Sequence, residues 1–440
     1  MSELVHSDPV RRHVDPPDLC EYRSAIEIID VLRDAGFEAY LVGGCVRDLV
    51  LGVMPKDFDI VTSAEPRETR KLFRRTIPVG IEFGVLSVLH EGAAFEVATF
   101  RADGSYSDGR RPDWVRFTDV REDVARRDFT INGLLYDPAT HDVIDYTGGL
   151  DDLGSGIIRT IGDPAMRFTE DALRLVRAIR FAARLGFHLE DTTRESIAER
   201  AETITLVAQE RVWTELDLML VNQNRAHAVE LLRQTRLMEF ILPDVNGLDD
   251  DAQNPLTTRL HALPDECPVE ITWAVLLADV FARSDSCGDD RDGPLCDNLS
   301  SPLNKLFSHM RAPKRVTRGV EAILSRRWTP SAESLREGSL LRILRHDPEG
   351  HLPIFWSADA HSRGDNPFDF TTRWTDLRDR GMLIGGSIQT PITGSDFVSA
   401  GLSTGPHMSW LMAETERLWL EGRLDTEQQR RDWIAENTQN

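Results

Sequence analysis

The sequence lacks several features that would assign it to a membrane or secreted class. No apolar run approaches the ~18 residues that suggest a membrane span, and the first residues are polar and contain proline instead of an apolar signal segment. The five cysteines are scattered, odd in number and without Cys-x-x-Cys spacing, so neither a disulfide framework nor a zinc site is indicated. Nothing repeats at a fixed period. We therefore expect a cytoplasmic protein with no membrane partner.

Basic residues are also in deficit. The 440 residues include 51 lysines and arginines against 73 aspartates and glutamates, which gives a net charge of -22. Such a balance argues against a uniformly basic surface for nucleic acid. Nearly half of the excess lies in residues 244–300, whose net charge is -10, so a basic groove elsewhere in the chain is compatible with the composition. The length is sufficient for two or more domains.

The most informative stretch is LVGGCVRDLVLGVMPKDFDIVT, which begins at Leu41. An apolar run over residues 39–42 meets Gly43 and Gly44, and apolar residues then recur at helical spacing. This pattern predicts a strand, a tight turn and a helix. A glycine turn that opens a helix presents free N–H groups and the positive end of a helix dipole, which suits a phosphate.

Two aspartates follow in the alternating segment PKDFDIVT. In an extended strand Asp57 and Asp59 share one face, while Phe58 and Ile60 point to the other. Carboxylates held so close repel each other unless a cation lies between them, and hard oxygen ligands suit Mg²⁺. A metal beside a phosphate-binding turn indicates nucleotidyl transfer. The alternative for either motif alone is an ordinary turn or a solvated edge strand.

Further polar residues lie at positions that indicate a functional role. Glu96 lies inside the second strand of a predicted hairpin, where a glutamate is unfavourable without a reason. Residues 101–116 have no period and are rich in arginine, which predicts a basic loop. We predict a helix-like segment with polar groups along one side over EDVARRDFTINGLLYDP, and one long helix over RFTEDALRLVRAIRFAARLGF, where Asp171 and Arg174 lie one turn apart.

Taken together, these segments resemble the bacterial class II tRNA nucleotidyltransferase and poly(A) polymerase family. The matching segments follow the family's order over about residues 39–245: LVGGCVRDLVLGVMPKDFDIVT, FEVATFR, YSDGRRPDWVRF, RRDFTING, IGDPAMRFTEDALRLVRAIRFAARLGF and QERVWTELDLML. The resemblance implies an α+β fold, with an N-terminal nucleotidyltransferase head that carries a small mixed sheet and an all-α neck, body and tail. The expected divisions are a leader (1–22), head (23–160), neck (161–224), body with the acidic segment (225–330) and tail (331–440).

The resemblance also implies roles for individual residues. The catalytic acids are matched by Asp57, Asp59 and Glu96, with Mg²⁺ ions held by the first two. In the family the RRDFTIN segment contacts the ribose, and the EDxxR segment reads the incoming base. The matching nucleotide-binding candidates are Gly43, Gly44, Arg47, Arg127, Asp128, Asn132, Arg167, Glu170, Asp171, Arg174 and Arg177. For Asp171 and Arg174 the alternative is an i,i+3 ion pair on a helix surface.

The implied activity is the addition of CMP and AMP, or of AMP alone, to tRNA 3′ ends, with CTP and ATP as substrates. A poly(A) polymerase of the same family is the main alternative. A non-catalytic RNA-binding relative and nucleotidyl transfer to a small molecule are further alternatives. Residues 301–328 carry a net charge of +6. The candidates for contacts with tRNA are Arg110, Arg111, Lys314, Arg315 and Arg318, although charge runs are also common on solvated helix faces.

Overall fold

The structure is a computed structural model, and it divides the chain into two compact units. The first comprises Met1–Met219 with His227–Asn246, and the second comprises Leu220–Ala226 with Gly247–Asn440. The residues that the structure describes are 8–104, 114–246, 255–282, 300–326, 340–341, 344–345, 347, 349–364, 370–380, 382–384 and 387–438. Arg110, Arg111 and residues 247–254 and 283–299 of the acidic segment therefore lie outside the described residues. The finer division into neck, body and tail remains our proposal.

The first unit is built on a mixed sheet of eight strands, which confirms the expected sheet-bearing head. The sheet is larger than the small sheet that we expected. The strand order is β1-β10-β9-β2-β3-β6-β5-β4, with β3 and β6 parallel and the other neighbours antiparallel. A separate hairpin pairs β7 with β8. The strands are β1 Val10–His13, β2 Ala39–Val42, β3 Asp59–Thr62, β4 Thr76–Gly80, β5 Val85–His90, β6 Ala93–Thr99, β7 Arg101–Asp103, β8 Val115–Phe117, β9 Leu135–Asp137 and β10 Asp142–Asp145.

Strand β1 lies within the segment that we expected to be a loose leader. Its residues pair with β10 from Val10 opposite Asp145 to His13 opposite Asp142. All four residues of β1 are exposed, so the segment has no alternating apolar pattern to reveal a strand. Backbone pairing with a strand more than a hundred residues away orders it instead.

The sheet places Asp59 at the rim of a buried core. Tyr22, in helix α1 (Cys20–Asp34), meets Phe58 edge-on with ring centroids 5.8 Å apart, so this helix covers the face of Phe58. The opposite face carries a cluster of buried side chains: Val42, Val61, Phe100, Val124, Leu135 and Ile144. Asp59 precedes Val61 by two residues and therefore shares the face of this cluster.

The helical part of the first unit corrects two of our predictions. The segment after Arg126 is not helical: α4 ends at Ala125, a short 3₁₀ turn spans Thr130–Asn132, and strand β9 follows. The predicted long helix is two helices, α6 and α7, separated at Asp171. The helices are α2 Gly44–Val50, α3 Pro66–Leu72, α4 Val120–Ala125, α5 Gly149–Ser155, α6 Pro164–Glu170, α7 Leu173–Leu185, α8 Asp191–Arg200, α9 Gln209–Leu220, α10 Arg225–Gln234, α11 Leu237–Ile241 and α12 Pro243–Asn246.

Side chains that bond to nearby backbone explain both interruptions. Asp128 Oδ1 accepts the N–H of Phe129 at 2.8 Å, and Asp171 Oδ1 accepts the N–H of Leu173 at 3.0 Å. Asp171 itself is extended, with φ -144° and ψ 103°. Aspartates that bond locally to the backbone compete with helix continuation and favour helix ends.

The second unit is mostly helical, as expected for the body and tail. The fully buried Trp273 of α14 meets Phe307 of α15 edge-on at 5.6 Å. A short hairpin pairs Leu383–Ile384 with Ser387–Ile388, and a parallel pair, Ile157–Ile158 with His188–Leu189, lies in the first unit, so the part after the head is not purely α. No helix in the described ranges is long and apolar enough to cross a membrane. The helices are α13 Pro255–Ala262, α14 Val269–Ala282, α15 Ser300–His309, α16 Lys314–Leu324, α17 His351–Ser362, α18 Phe370–Asp379, α19 Gly394–Ser399, α20 Pro406–Leu420 and α21 Glu427–Thr438.

Candidate active site

The predicted acids meet where the start of β3 lies beside the middle of the parallel strand β6. Strands β3 and β6 pair Ile60 with Val97, so Asp59 and Glu96, one step earlier in each strand, are neighbours on the same face. Asp57 lies two residues before β3 and is exposed, whereas Phe58 is buried on the opposite face. The structure therefore brings Asp59 and Glu96 together on the sheet, and Asp57 reaches them from the loop that enters β3.

The electrostatics of these acids are unfavourable without a ligand. Burial, and then the negative charges of Asp57 and Glu96, raise the pKa of Asp59 to about 6, although the Arg127 guanidinium opposes the shift. The described part of the chain contains no group of three or more His, Cys, Asp or Glu side chains arranged to hold a metal ion.

The glycine turn joins β2 to α2 as predicted. Gly43 has φ 77° and ψ -128°, a conformation that disfavours any side chain. Its N–H donates to Leu134 O at 3.1 Å. The first N–H groups of a helix have no partner within the helix, and those of α2 begin directly after this turn. A side chain at Gly43 would also approach Arg127 Nη1 at 3.7 Å, so this guanidinium faces the turn.

The buried side chain of Arg47 stabilises the glycine turn and is not accessible to solvent. Its guanidinium donates to Asp48 Oδ1 from Nε at 2.8 Å and to Asn132 Oδ1 from Nη1 at 2.8 Å, and the residue is only 2% exposed. The side chain thus ties α2 to the 3₁₀ turn at Asn132. Direct contact between Arg47 and a nucleotide would require these bonds to break.

Asp128 holds together the segment that we expected to contact the ribose. One carboxylate oxygen accepts from Asn132 Nδ2 at 3.1 Å, and the other accepts from Arg177 Nε at 3.0 Å. Burial alone would raise the pKa of Asp128, but the Arg177 guanidinium and these hydrogen bonds outweigh it and lower the pKa to about 2. Asp128 is therefore ionised at neutral pH and fixes the position of Asn132 relative to α7.

Asp123, which our sequence analysis did not select, organises the neighbouring arginines. This fully buried carboxylate accepts from Arg126 Nη2 at 2.6 Å and from Arg127 Nη2 at 3.0 Å, and it also accepts the N–H of Arg101 at 3.2 Å. It engages Arg127 through Nε and Nη2, so Nη1 remains directed at Gly43. The sequence signal was the short spacing between Asp123 and the two arginines, which brings them together at a helix end.

The EDxxR residues lie together, but their ion pairs differ from the surface pair that we considered. Arg174 Nη1 bonds Glu170 Oε2 at 2.6 Å, and Arg167 Nη1 bonds the same oxygen at 2.9 Å. Asp171 instead accepts from Arg211 Nη2 at 3.0 Å. An Asp171–Arg174 ion pair is therefore the wrong interpretation. The helix is interrupted at Asp171, and the Asp171 carboxylate is directed toward α9 instead.

Two residues of α9 complete the cluster. Arg211 positions Asp171, and the buried Glu215 bonds Arg180 Nε at 2.5 Å and lies 3.6 Å from Arg177 Nη1. Both belong to the matching segment QERVWTELDLML, from which we chose no individual residue. The proximity of α9 to α7 is a tertiary feature, so only the family resemblance could have indicated these residues.

The remaining candidates lie on α16 in the second unit. Lys314, Arg315 and Arg318 are exposed, while Val316, Val320 and Ile323 are buried. Arg315 Nη2 bonds the buried Glu270 at 3.0 Å. Arg315 is thus partly neutralised within its own unit.

Comparison with known proteins defines the class of this site. Residues 39–159 match the family described as "Poly A polymerase head domain", and residues 186–248 match "Probable RNA and SrmB- binding site of polymerase A". The fold and the matched head domain are those of a nucleotidyltransferase.

Proteins that are similar to this chain over most of its length define the family more closely. The CCA-adding enzyme of Streptococcus suis is 32% identical over 411 residues, covering 93% of this chain and 95% of the relative. That of Leuconostoc mesenteroides is 36% identical over 309 residues, covering 68% and 73%. The crystal structure of the Bacillus stearothermophilus CCA-adding enzyme in complex with CTP is similar with a TM-score of 0.66 and 27% identity, over 95% of this chain and 98% of that chain. The chain belongs to the family of CCA-adding enzymes, a family of tRNA nucleotidyltransferases, which confirms the resemblance seen in the sequence.

The buried position of Asp123 leads to a testable expectation. Asp123→Asn keeps the volume of the side chain but removes the charge that orients Arg127. Since hydrogen bonds to charged groups contribute about 1.5–3 kcal/mol, we expect the KM values for CTP and ATP to rise about tenfold or more, and by similar factors. Steady-state kinetics with each nucleotide measures this effect.

Asp145→Asn is the matched control. Asp145 is also buried, and it accepts the N–H groups of Thr147, Gly148 and Leu150 without contacting an arginine. This variant should lower the melting temperature and leave both KM values unchanged. Unaltered KM values in Asp123→Asn would show that Asp123 serves only the stability of the fold.

Proposed function

We propose that this chain completes the 3′ end of tRNA by adding CMP and AMP, with CTP and ATP as its nucleotide substrates, in the cytoplasm. The observation that carries the proposal is the similarity along nearly the whole chain to CCA-adding enzymes, one of them solved with CTP. The poly(A) polymerase alternative is not favoured, because the curated relatives cited above are CCA-adding enzymes. Retention of Asp57, Asp59 and Glu96 disfavours a non-catalytic relative.

Mg²⁺ fits the acids of the head. Burial, and then the charges of Asp57 and Glu96, raise the pKa of Asp59, and a divalent cation would offset that negative charge. Asp57 and Asp59 would hold the ion, since Mg²⁺ usually takes one or two carboxylates and completes its shell with waters and substrate phosphates. The bound metal would lower the pKa of the tRNA 3′-hydroxyl and offset charge on the α-phosphate and pyrophosphate. Glu96 adds a third negative charge beside Asp59.

The chain's own residues would then orient the nucleotide. The first N–H groups of α2 and Arg127 Nη1 face the Gly43 turn from two sides, so the triphosphate would lie between them. Asn132 is held by Asp128 and Arg47 and would contact the sugar. In this arrangement binding energy is directed to the phosphates and ribose that CTP and ATP share.

Base selection would fall to the cluster around α6 and α7. Cytosine and adenine both offer an exocyclic amino donor next to an unprotonated ring nitrogen, whereas guanine and uracil offer the reverse order. A carboxylate and a guanidinium can pair with the first pattern. Asp171 and Arg174 supply these groups, and their separate partners, Arg211 and Glu170, hold each one in place.

The surface of α16 would contact tRNA phosphates. Lys314 and Arg318 are exposed, and within the described ranges neither forms a salt bridge, whereas Arg315 is bonded to Glu270. Lys314 and Arg318 are therefore the cations available for phosphate contacts on this helix.

The acids are tested by Asp59→Asn. We expect this variant to lose all but a few per cent of nucleotide incorporation. We also expect it to be more stable than the wild type in metal-free buffer at pH 7.5, by about 1–3 kcal/mol. A pKa raised from 3.8 to about 6 in the folded state means that the wild type loses stability as pH rises through this range, and the amide removes that loss.

Thermal unfolding with and without Mg²⁺ provides a readout that is independent of activity. Added Mg²⁺ should raise the melting temperature of the wild type and have little effect on Asp59→Asn. Incorporation above a few per cent of the wild-type rate, or an equal response of both proteins to Mg²⁺, would remove Asp59 from the metal site.

Base selection is tested by Asp171→Ala. Loss of the acceptor should weaken the preference for CTP and ATP over UTP and GTP by ~1–3 kcal/mol per lost contact, measured as kcat/KM for each nucleotide. Arg211→Met, which leaves Asp171 in place but unsupported, should give a smaller change in the same direction. Unchanged discrimination in both variants would limit these residues to a structural role.

The RNA surface is tested by reversing the two available cations. The double variant Lys314→Glu with Arg318→Glu should raise the KM for tRNA and leave the KM for ATP unaffected. The slope of log KM for tRNA against the logarithm of salt concentration should fall by about one for each lost phosphate contact. Arg11→Glu with Arg12→Glu, on the exposed edge strand β1, is a control with the same change in net charge. An equal effect of both double variants would indicate a general charge effect instead of a contact on α16.

A further inference from the structure

One tryptophan of the first unit is exposed at a defined position. The residue Trp114 is 57% exposed, whereas Trp273 and Trp356 are almost fully buried. Trp114 immediately precedes β8, at the end of the β7–β8 hairpin where Asp103 pairs with Val115. An exposed indole at this place is not required by the core of the unit.

The indole is held in place by the strand opposite. Gly104 N–H donates to Trp114 O at 2.9 Å, which extends the hairpin by one pair. A Cβ at Gly104 would lie only 2.5 Å from Trp114 Cε2, so the ring lies directly over the glycine. One side of the indole therefore rests on the backbone, and the exposed part faces solvent.

The hairpin that carries Trp114 is bonded to the nucleotide cluster. Arg101 N–H donates to Asp123 Oδ1, and Arg126 Nε donates to Arg101 O at 3.0 Å. Asp123 is also the carboxylate that directs Arg127 toward Gly43. The indole thus belongs to an element that is fixed directly to the site.

The strand around Trp114 also carries an exposed guanidinium. Arg116 lies two residues further along β8, hence on the same side as Trp114; its side chain is 60% exposed, and its Nη2 is paired with Glu122 Oε2 at 2.7 Å. An aromatic face next to a guanidinium is the combination with which proteins bind single-stranded RNA, because the ring stacks on a base and the cation meets a phosphate.

We propose that the Trp114 indole is a stacking platform for a base at the single-stranded 3′ end of the tRNA substrate. This inference rests on the proposed function and names a contact for its RNA substrate. The base of the incoming nucleotide is assigned to Asp171 and Arg174, so the acceptor end is the single-stranded RNA that remains to be bound near the hairpin.

The test compares two substitutions that differ in aromatic character. Trp114→Tyr keeps a stacking face, and Trp114→Leu keeps an apolar cover for Gly104 without one. Direct binding of a tRNA that lacks its CCA end is measured by fluorescence anisotropy without nucleotide, together with the KM values for CTP and ATP. Thermal unfolding of each variant reports whether the fold is retained.

The expected result is a selective loss of RNA binding. Trp114→Leu should raise the Kd for tRNA about 5- to 20-fold, Trp114→Tyr should stay within about threefold of the wild type, and neither should change the KM values for nucleotides. Gly104→Ala should weaken tRNA binding as well, because the new methyl group displaces the indole while Trp114 is still present.

Other outcomes overturn the proposal. Equal tRNA affinity in the leucine variant and the wild type, or equal losses in the leucine and tyrosine variants, would reduce Trp114 to a cover for Gly104. A change confined to the nucleotide KM values would show that the indole contacts the base of the incoming nucleotide instead of the tRNA. Failure of the proposed function is distinguishable, since a wild type without incorporation activity still yields these tRNA affinities.

Discussion

The arrangement of the candidate site depends on three carboxylates, two of them buried and one half-buried, that each hold two arginines. Guanidinium groups brought close together repel one another, and burial adds the cost of removing them from water. The structure meets both costs by placing one carboxylate between each pair. The sets are Asp123 with Arg126 and Arg127, Glu170 with Arg167 and Arg174, and Glu215 with Arg177 and Arg180. The orientation of these six arginines is thereby fixed before a nucleotide arrives.

The two ends of the site differ in how their charge is balanced. Around α7 the positive and negative groups neutralise each other, and the low pKa of Asp128 reflects that balance. At the start of β3 the acids face one another, and Asp59 has a raised pKa. The unfavourable charge is confined to the place where the chemistry is proposed to occur. Unbalanced charge of this kind is common at functional sites, because the bound ligand supplies the opposite charge that the protein lacks there.

The features that the sequence predicted correctly are those that depend on neighbouring residues. The strand, glycine turn and helix around Gly43 follow from local pattern, and so does the hairpin whose turn residues Glu91 and Gly92 both have positive φ. The pairing of Asp171 with Arg211 joins residues 40 positions apart, and strand β1 depends on pairing with β10. Periodicity over a short window contains no information about such partners, so these features could not be predicted from it.

The net charge of the chain is a weak guide to its affinity for RNA. Several cations in the described part of the first unit are paired with carboxylates, and Arg315 of the second is partly neutralised by Glu270, so these groups are less available for phosphates. Purely ionic binding with few contacts is weak at physiological salt. An acidic protein that must hold RNA therefore needs contacts that do not depend on charge. Base stacking is such a contact, since it is insensitive to the sign of the surrounding potential and tolerant of sequence. An exposed indole on a rigid hairpin offers it without adding to the positive charge that the site already has to balance.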